Sequence, residues 1–552
     1  MTKLSNLCAV IAAAACAVGC ASSTATGPGP LRFHNRAPVT LVNDRVPIAL
    51  PATYKPGLRE YHLRENWIEP TRRAFTVSDH RRAENPNSLG EVPDSAWFTN
   101  RAPLTPAQIR RGPGGGGPDR SEPWRVVGVK VGGMAIGITI KDARGDRYVL
   151  KFDERGHAET ESAADVIVQR LAWAFGYNVP DNEVVNFQRE QLQLDPEALV
   201  RDIAGNERPM TAADLEQYLA MAESDHGTFR GLASKFIDGK ILGGVEPEGV
   251  RKDDPNDRVP HELRRDLRGQ RMLWAWVNHP DIKALNALSA FTDDGYVKWY
   301  TLDYGESLGV GARTTGMPRL GFRNTYSLRD SMLALVTLGL YVRPWEKRDH
   351  YPDYRGLGHF DSESFDPGGW QPNHNWRPTD IADRFDELWA AEILLRFTRA
   401  HIQAAVEAGK YTDPRTTEYV VRTLLGRQRK IGRHAFARVA PLTRFEVRGG
   451  KAGALEVCFD DLWLRHAYGL PAATRYHVSS FDHAGTSLGR AERVAADADA
   501  RTCVGGLRAG ASHAGYTVAK IEIRRSHGNV PPVFVHVARG PRGFRVIGLD
   551  RR

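Results

Sequence analysis

The chain has 552 residues, 41% of them hydrophobic and 26% charged, with a formal net charge of +9 at pH 7. That length exceeds one comfortable core and implies two or three domains, and the composition excludes a disordered or fibrous chain. Arg and Lys are interleaved with Asp and Glu, with no long basic block, so the positive balance does not point to nucleic acid.

The first twenty residues read as an export address. Lys3 supplies the positive end, "LCAVIAAAACAV" a short apolar stretch, and "AVGC" the small residues before Cys20. This resembles a bacterial lipoprotein signal, in which Cys20 becomes the lipidated first residue of the mature chain. Ala17 stands where Leu is usual, which keeps an ordinary secretory signal as the alternative. Ala21, in place of an acidic residue, directs a lipoprotein to the outer membrane, facing the periplasm or the cell surface. No later stretch approaches the ~20 apolar residues of a membrane span, so lipid on Cys20 is the expected membrane contact. Cys8 and Cys16 leave with the signal, and Cys458 and Cys503 remain. An isolated pair in an oxidising compartment favours one disulfide, with two unpaired buried thiols as the alternative.

After the signal, "ASSTATGPGP" is a tether, residues 31 to about 110 are irregular, and "GPGGGGP" at 112–118 breaks the chain. From 125 to 153 the runs "VVGVKVGG", "AIGITIKD" and "RYVLKFD" predict three strands. "ESAADVIVQRLAWAF" predicts a helix, with Ala164, Ile167, Val168, Leu171 and Phe175 on one face and Gly176 ending it. "FRGLASKFIDGKIL" is further strand, and "ELRRDLRGQRMLWAWV" a helix that runs into "NHPDIKALNAL". "YVKWYTLDYGESLG" is a strand and polar turn, 380 to about 435 is strongly helical, and short strands with turns follow after about 440.

Phosphoryl transfer needs a base or orienter at the attacking hydroxyl, cations on the phosphates, and carboxylate and amide oxygens for magnesium. Residues 128–305 offer these in a workable order. Lys151 ends a strand behind a glycine-containing hairpin, where its ammonium could reach phosphates. Glu161 and Asp165 lie at i, i+4 on the next helix, so either could pair with Lys151. Asp281 is the candidate base, Lys283 a partner for the transferred phosphate, and Asn286 and Asp303 the metal ligands.

"HPDIKALN" has the spacing of the protein-kinase catalytic loop, and "DYG" at 303–305 resembles the Asp-Phe-Gly that follows it. "YVLK" resembles the Lys-bearing third strand, and "GGMAIG", with Gly132, Gly133 and Gly137, a loose glycine-rich loop. Over about 120–435 the chain is similar to the atypical branches of the kinase-like superfamily, including HipA-type, spore-coat and secretory kinases. The resemblance implies an ATP clamp at Lys151, a catalytic Asp281 and metal ligands Asn286 and Asp303. Pro280 replaces the Arg that reads a phosphorylated activation loop, so that control is not expected. Tyr304 replaces Phe, the glycine loop departs from G-x-G-x-x-G, and no Ala-Pro-Glu follows.

The expected architecture is α+β: signal 1–20, tether and irregular segment 21–118, a two-lobed kinase-like core with lobes 119–245 and 246–438, and an all-β, sandwich-like domain 439–552. The expected activity is transfer of a phosphoryl or nucleotidyl group from ATP or another nucleotide, with Mg, to a protein or small-molecule acceptor that the sequence does not name. A non-catalytic, pseudokinase-like scaffold at the cell envelope is the alternative. "GESLG" matches the nucleophile elbow of esterases, which makes a serine hydrolase using Ser307 a third reading. Two further loops concentrate polar or aromatic residues. "RKDDPNDRVPHE" gathers Asp253, Asp254, Asp257, His261 and Glu262 as metal ligands or as a capping loop, and "WQPNHNW" offers Trp370, His374 and Trp376 as a sugar or peptide surface or as packing.

Overall fold

The computed structural model describes residues 30–54, 58–76, 81–129, 136–201, 206–311, 320–323, 327–343, 346, 354–449, 454–511, 513–526 and 528–552. Cys20, with the whole export signal, and Gly132 and Gly133 lie outside the described residues. The chain is mixed α+β and its described residues divide into two compact units, one of Val39–Val439 and one of Ala440–Arg552 with residues 30–38.

The larger unit opens with α1 (Leu58–Leu63), a wide helical turn over Arg64–Ile68, α2 (Glu69–Ala74) and α3 (Pro106–Arg111). Strands β1 (Trp124–Val129), β2 (Gly137–Lys141) and β3 (Arg147–Phe152) lead into α4 (Glu161–Phe175). Then come β4 (Asn182–Gln188), β5 (Leu192–Arg201), β6 (Glu207–Pro209), α5 (Ala212–Met221), β7 (Ser224–Asp225) and β8 (Thr228–Lys235). These strands form one sheet in the order β4-β8-β3-β2-β1-β5-β6, with β7 on β8. The pairs are antiparallel except β1 with β5, which is parallel.

The period-2 pattern of β3 sets the chemistry of this sheet. Tyr148, Leu150 and Phe152 point into a core with Trp124, Ile138, Ile140, Leu215 and Leu219, so α5 covers that face. Val149 and Lys151 take the other face, where α4 packs against β3, β4 and β8. Val166 of α4 meets Val184 and Leu232 there.

Three antiparallel strands, β9 (Lys240–Gly244), β10 (Ala287–Phe291) and β11 (Val297–Thr301), make a second sheet in the order β11-β10-β9. Between β9 and β10 runs α6 (Arg265–Val277), buried on nearly all sides. Its cations Arg265 and Arg268 are paired with the buried Asp386 at 3.0 and 3.5 Å, the arrangement a buried charge requires. Gly269 lets the Trp389 ring approach, since a Cβ there would sit 2.4 Å from it. Helices α7 (Leu328–Val336), α8 (Arg377–Asp380), α9 (Arg384–Leu394), α10 (Arg399–Ala408) and α11 (Pro414–Phe436) complete the unit. Among them α8, α9 and α11 pack on α6.

The smaller unit contains β12 (Leu442–Gly449), β13 (Ala454–Asp461), a short α12 (Leu462–Arg465), β14 (Thr474–Phe481), β15 (Glu492–Ala495), β16 (Arg501–Arg508), β17 (Thr517–Arg525), β18 (Val533–Gly540) and β19 (Gly543–Arg551). They form two sheets, β12-β13-β16 and β15-β14-β17-β18-β19, whose apolar residues share one core including Leu442, Val457, Phe459, Tyr476, Ile521 and Val535. Cys458 and Cys503, opposite one another on β13 and β16, are disulfide-bonded. Phe33 packs on His536 in the same unit.

Candidate functional site

Helix α6 stops at Asn278, whose left-handed conformation (φ 50°, ψ 50°) turns the chain out of the helix. His279 follows, fully buried, its ring 5.0 Å from that of Trp274 and 5.6 Å from that of Tyr304. Burial pushes the imidazole down to about 4, so it is neutral at ordinary pH. Its Nδ1 shares a hydrogen bond of 3.0 Å with Ser307 Oγ. The loop's own histidine therefore holds the turn after β11.

Asp281 comes next. Lys283 Nζ donates to Oδ1 at 2.9 Å and to Oδ2 at 2.7 Å, and Asn286 Nδ2 donates to Oδ2 at 2.8 Å and to the Asp281 carbonyl at 2.9 Å. With its NH2 group spent on Asp281, Asn286 keeps Oδ1 as an acceptor. A helical turn over Ala284–Asn286 leads directly into β10, and the backbone N–H of Ala284 donates to Tyr61 Oη between α1 and the loop.

The β10–β11 hairpin pairs Ala287 with Thr301 and returns the chain beside Asn286, where Leu302 N–H donates to the Asn286 carbonyl at 3.1 Å. Asp303 is the next residue, with φ of 66°, a left-handed value that costs energy for a non-glycine residue and is often found at functional sites. Its Oδ1 accepts from Lys151 Nζ at 2.7 Å. Asp165 Oδ2 lies 3.6 Å from the same ammonium and also accepts from the Tyr304 N–H at 3.2 Å. Burial alone would lower the Lys151 pKa, but the Asp303 and Asp165 carboxylates outweigh it and hold the group above its ordinary value.

Of the two acids at i, i+4 on α4, Asp165 thus faces Lys151 as an ion pair. Glu161, one turn earlier, lies against the turn after β11, with its Oε2 3.6 Å from where a Gly305 Cβ would be. Gly137, the first residue of β2, is directly opposite Lys151 in the sheet.

Two residues outside the kinase-like sequence pattern join this cluster. Glu306 is pushed up to about 8, first by burial and then by the charges of Asp281, Asp303 and Glu161, and its buried Oε2 has no hydrogen-bond partner. Its signal was its place directly after "DYG". His374 Nε2 lies 3.6 Å from Asp281 Oδ1. Trp370 and Trp376, at 4% and 1% exposure, are packed inward and offer no stacking platform to a sugar or peptide. The 251–262 loop is built on a satisfied histidine, since His261 contacts Asp257 at 2.8 Å and the Glu246 carbonyl.

Hard oxygen donors (Asn286 Oδ1, Asp303 and the orphaned Glu306 Oε2) suit magnesium or a similar ion. Among the described residues, the one group of three His, Cys or carboxylate ligands within 4.8 Å of one another is Glu456, Cys458 and Cys503, and its thiols are joined to each other.

No protein-family model matches the chain, and no curated protein matches it. Among solved structures the chain is similar to the Golgi casein kinase with Mn/ADP bound, at 10% identity over 57% of this chain and 72% of that one, with a TM-score of 0.30. A second structure of the Golgi casein kinase gives 11% identity, 57% and 74% coverage, and the same TM-score of 0.30. At that TM-score neither likeness bears on the chemistry.

Proposed function

We propose that the chain is an exported phosphotransferase with an atypical kinase-like, two-lobed core over 119–438 and a sandwich-like β domain, anchored to the cell envelope by lipid on Cys20. It transfers a phosphoryl or nucleotidyl group from ATP or a related nucleotide to a hydroxyl acceptor. The observation that carries this reading is the meeting of Lys151, Asp165 and Asp303 at one node, joined through Leu302 to Asp281, Lys283 and Asn286 at the next. Lys151 binds nucleotide phosphates, Asp281 orients the acceptor and takes its proton, and Lys283 meets the transferred group. Asn286 and Asp303, with Glu306 beside them, hold a divalent ion. Such an ion, when bound, neutralises charge on the phosphate oxygens. The disulfide of the smaller unit supports export to an oxidising compartment.

A non-catalytic scaffold on the same fold is the second reading. It is favoured by the way Lys283 and Asn286 engage the Asp281 carboxylate and Lys151 that of Asp303, a set of ties that can serve structure alone. The serine-hydrolase reading is disfavoured by Ser307 itself, which is 0% exposed, whereas a nucleophile has to reach its substrate. ATP with magnesium should raise the melting temperature of the purified protein, and Asp303→Ala should abolish that shift. Transfer of labelled phosphate completes the test. A shift without turnover, or no shift with any nucleotide or metal, removes the phosphotransferase and leaves the scaffold.

A further inference from the structure

The segment 370–376 runs beside the catalytic loop and is fastened to it at successive points. Trp370 Nε1 donates to Asn278 Oδ1 at 3.0 Å, and Asn373 N–H donates to the Pro280 carbonyl at 2.9 Å. Gln371 N–H donates to the Gly321 carbonyl at 2.9 Å, which fixes the segment from its other side. With Trp370 and Trp376 buried at its two ends, the segment is a rigid strap, and His374 is the side chain it delivers to Asp281.

The His374 Nε2 to Asp281 Oδ1 separation, 3.6 Å, is too long for a direct hydrogen bond. It is the right span for one oxygen atom to sit about 2.8 Å from both, the ordinary O–H···O and N–H···O distance. The two Asp281 oxygens are also unequal. Oδ2 accepts from both Lys283 and Asn286, whereas Oδ1 accepts from Lys283 and faces His374. Side-chain exposures of 22% for His374 and 11% for Asp281 make this notch reachable from solvent.

We propose that His374 is an acceptor-binding residue: the notch between its Nε2 and Asp281 Oδ1 seats the attacking hydroxyl. The inference rests on the phosphotransfer reading above. In the tautomer with the proton on Nε2, His374 donates to the acceptor oxygen while Asp281 Oδ1 receives the acceptor's proton. The bond from the acceptor oxygen to the γ-phosphorus forms as the bond from that phosphorus to the β,γ-bridging oxygen breaks. The nucleoside diphosphate departs with the electron pair, and Asp281 returns its proton to solvent. The substrate class that fits is a hydroxyl, with water the smallest member.

Water and glycerol serve as probe acceptors for the full protein, with γ-labelled ATP and magnesium, and the products are inorganic phosphate and glycerol phosphate. For His374→Ala the KM for glycerol should rise about tenfold, the effect of one lost hydrogen bond. The nucleotide-induced melting shift should match that of the wild type. His374→Gln, which keeps an N–H donor on a side chain of similar reach, should recover part of the loss. An unchanged glycerol KM in His374→Ala overturns the notch while leaving the phosphotransfer reading intact. A parallel loss of the nucleotide-induced shift overturns it too, since the strap would then be supporting the fold. Absence of both nucleotide binding and turnover in the wild type brings down the phosphotransfer reading, and the notch with it.

Discussion

Lys151 Nζ stands 2.7 Å from Asp303 Oδ1 and 3.6 Å from Asp165 Oδ2, so one ammonium joins β3, α4 and the turn after β11. The two carboxylates do not contribute equally to stability. Asp165 is 1% exposed, whereas Asp303 is 38% exposed. Lys151→Met strands a buried carboxylate and should cost about 3–5 kcal/mol, the usual penalty for removing one partner of a buried pair. Asp303→Ala leaves Lys151 with Asp165 and should cost about 1 kcal/mol. Urea unfolding of the two variants checks the order. Equal costs would mean that the node is solvated and that Asp165 gains little from Lys151.

Glu306 gives a pH dependence with a definite sign. Its folded pKa, about 8, lies above the unfolded value of 4.5, so between these pH values the unfolded chain releases a proton that the folded chain keeps. Its contribution to stability is therefore fully present below about 4.5 and is lost as pH rises toward 8. Glu306→Gln should flatten that decline by an amount on the order of a few kcal/mol, because one proton held by the folded chain alone changes stability by ~1.4 kcal/mol for each pH unit crossed. Unfolding midpoints at pH 5, 6.5 and 8 measure the decline, and parallel curves for the two proteins would show that Glu306 is ionised in the fold.

How much of this site the sequence could disclose follows from the kind of contact involved. That Asp281, Lys283 and Asn286 share one short loop was legible locally, whereas the meeting of Lys151 with Asp303 was implied by the resemblance to kinase-like sequences and by no local pattern. The choice of Asp165 over Glu161 was not legible, since one helical turn separates them and only the packing of α4 on the sheet decides which reaches Lys151. His374 stands out in the sequence for its tryptophan neighbours, but its position beside Asp281 depends on a strap that closes across 93 residues, beyond any local pattern. The mixed α+β character and the β-rich end were legible from periodicity. The parallel pairing of β1 with β5 was not, because strand order leaves no periodic trace.

The disulfide joins residues 45 apart, and closing a loop of that size in the unfolded chain is worth roughly 4 kcal/mol in the chain-entropy model. Cys458→Ala with Cys503→Ala should therefore lower the stability of the smaller unit by about 2–4 kcal/mol. A reductant should have the same effect on the wild type and none on the double variant. Identical melting curves with and without reductant would mean that the thiols are unpaired in the isolated protein.

The proposed lipid anchor can be tested apart from the fold: if lipid on Cys20 holds the chain at the membrane, Cys20→Ser should move it from the membrane fraction to the soluble one. Retention of the variant in membranes would place the attachment elsewhere in the chain.

Ser307 and His279 separate a structural tie from a nucleophile. The hydrogen bond of 3.0 Å between Ser307 Oγ and His279 Nδ1 fastens the loop after α6 to the turn that carries Asp303, and both side chains are buried. Ser307→Ala leaves a buried ring nitrogen without its partner, which should cost about 1–3 kcal/mol in unfolding and loosen the spacing of Asp281 and Asp303. Turnover should fall several-fold and nucleotide affinity should fall with it. A serine-reactive phosphonate should leave the wild type unlabelled by mass spectrometry, since Ser307 is 0% exposed. Stoichiometric labelling at Ser307 with loss of an esterase activity would reverse the assignment and make the pair a Ser–His dyad.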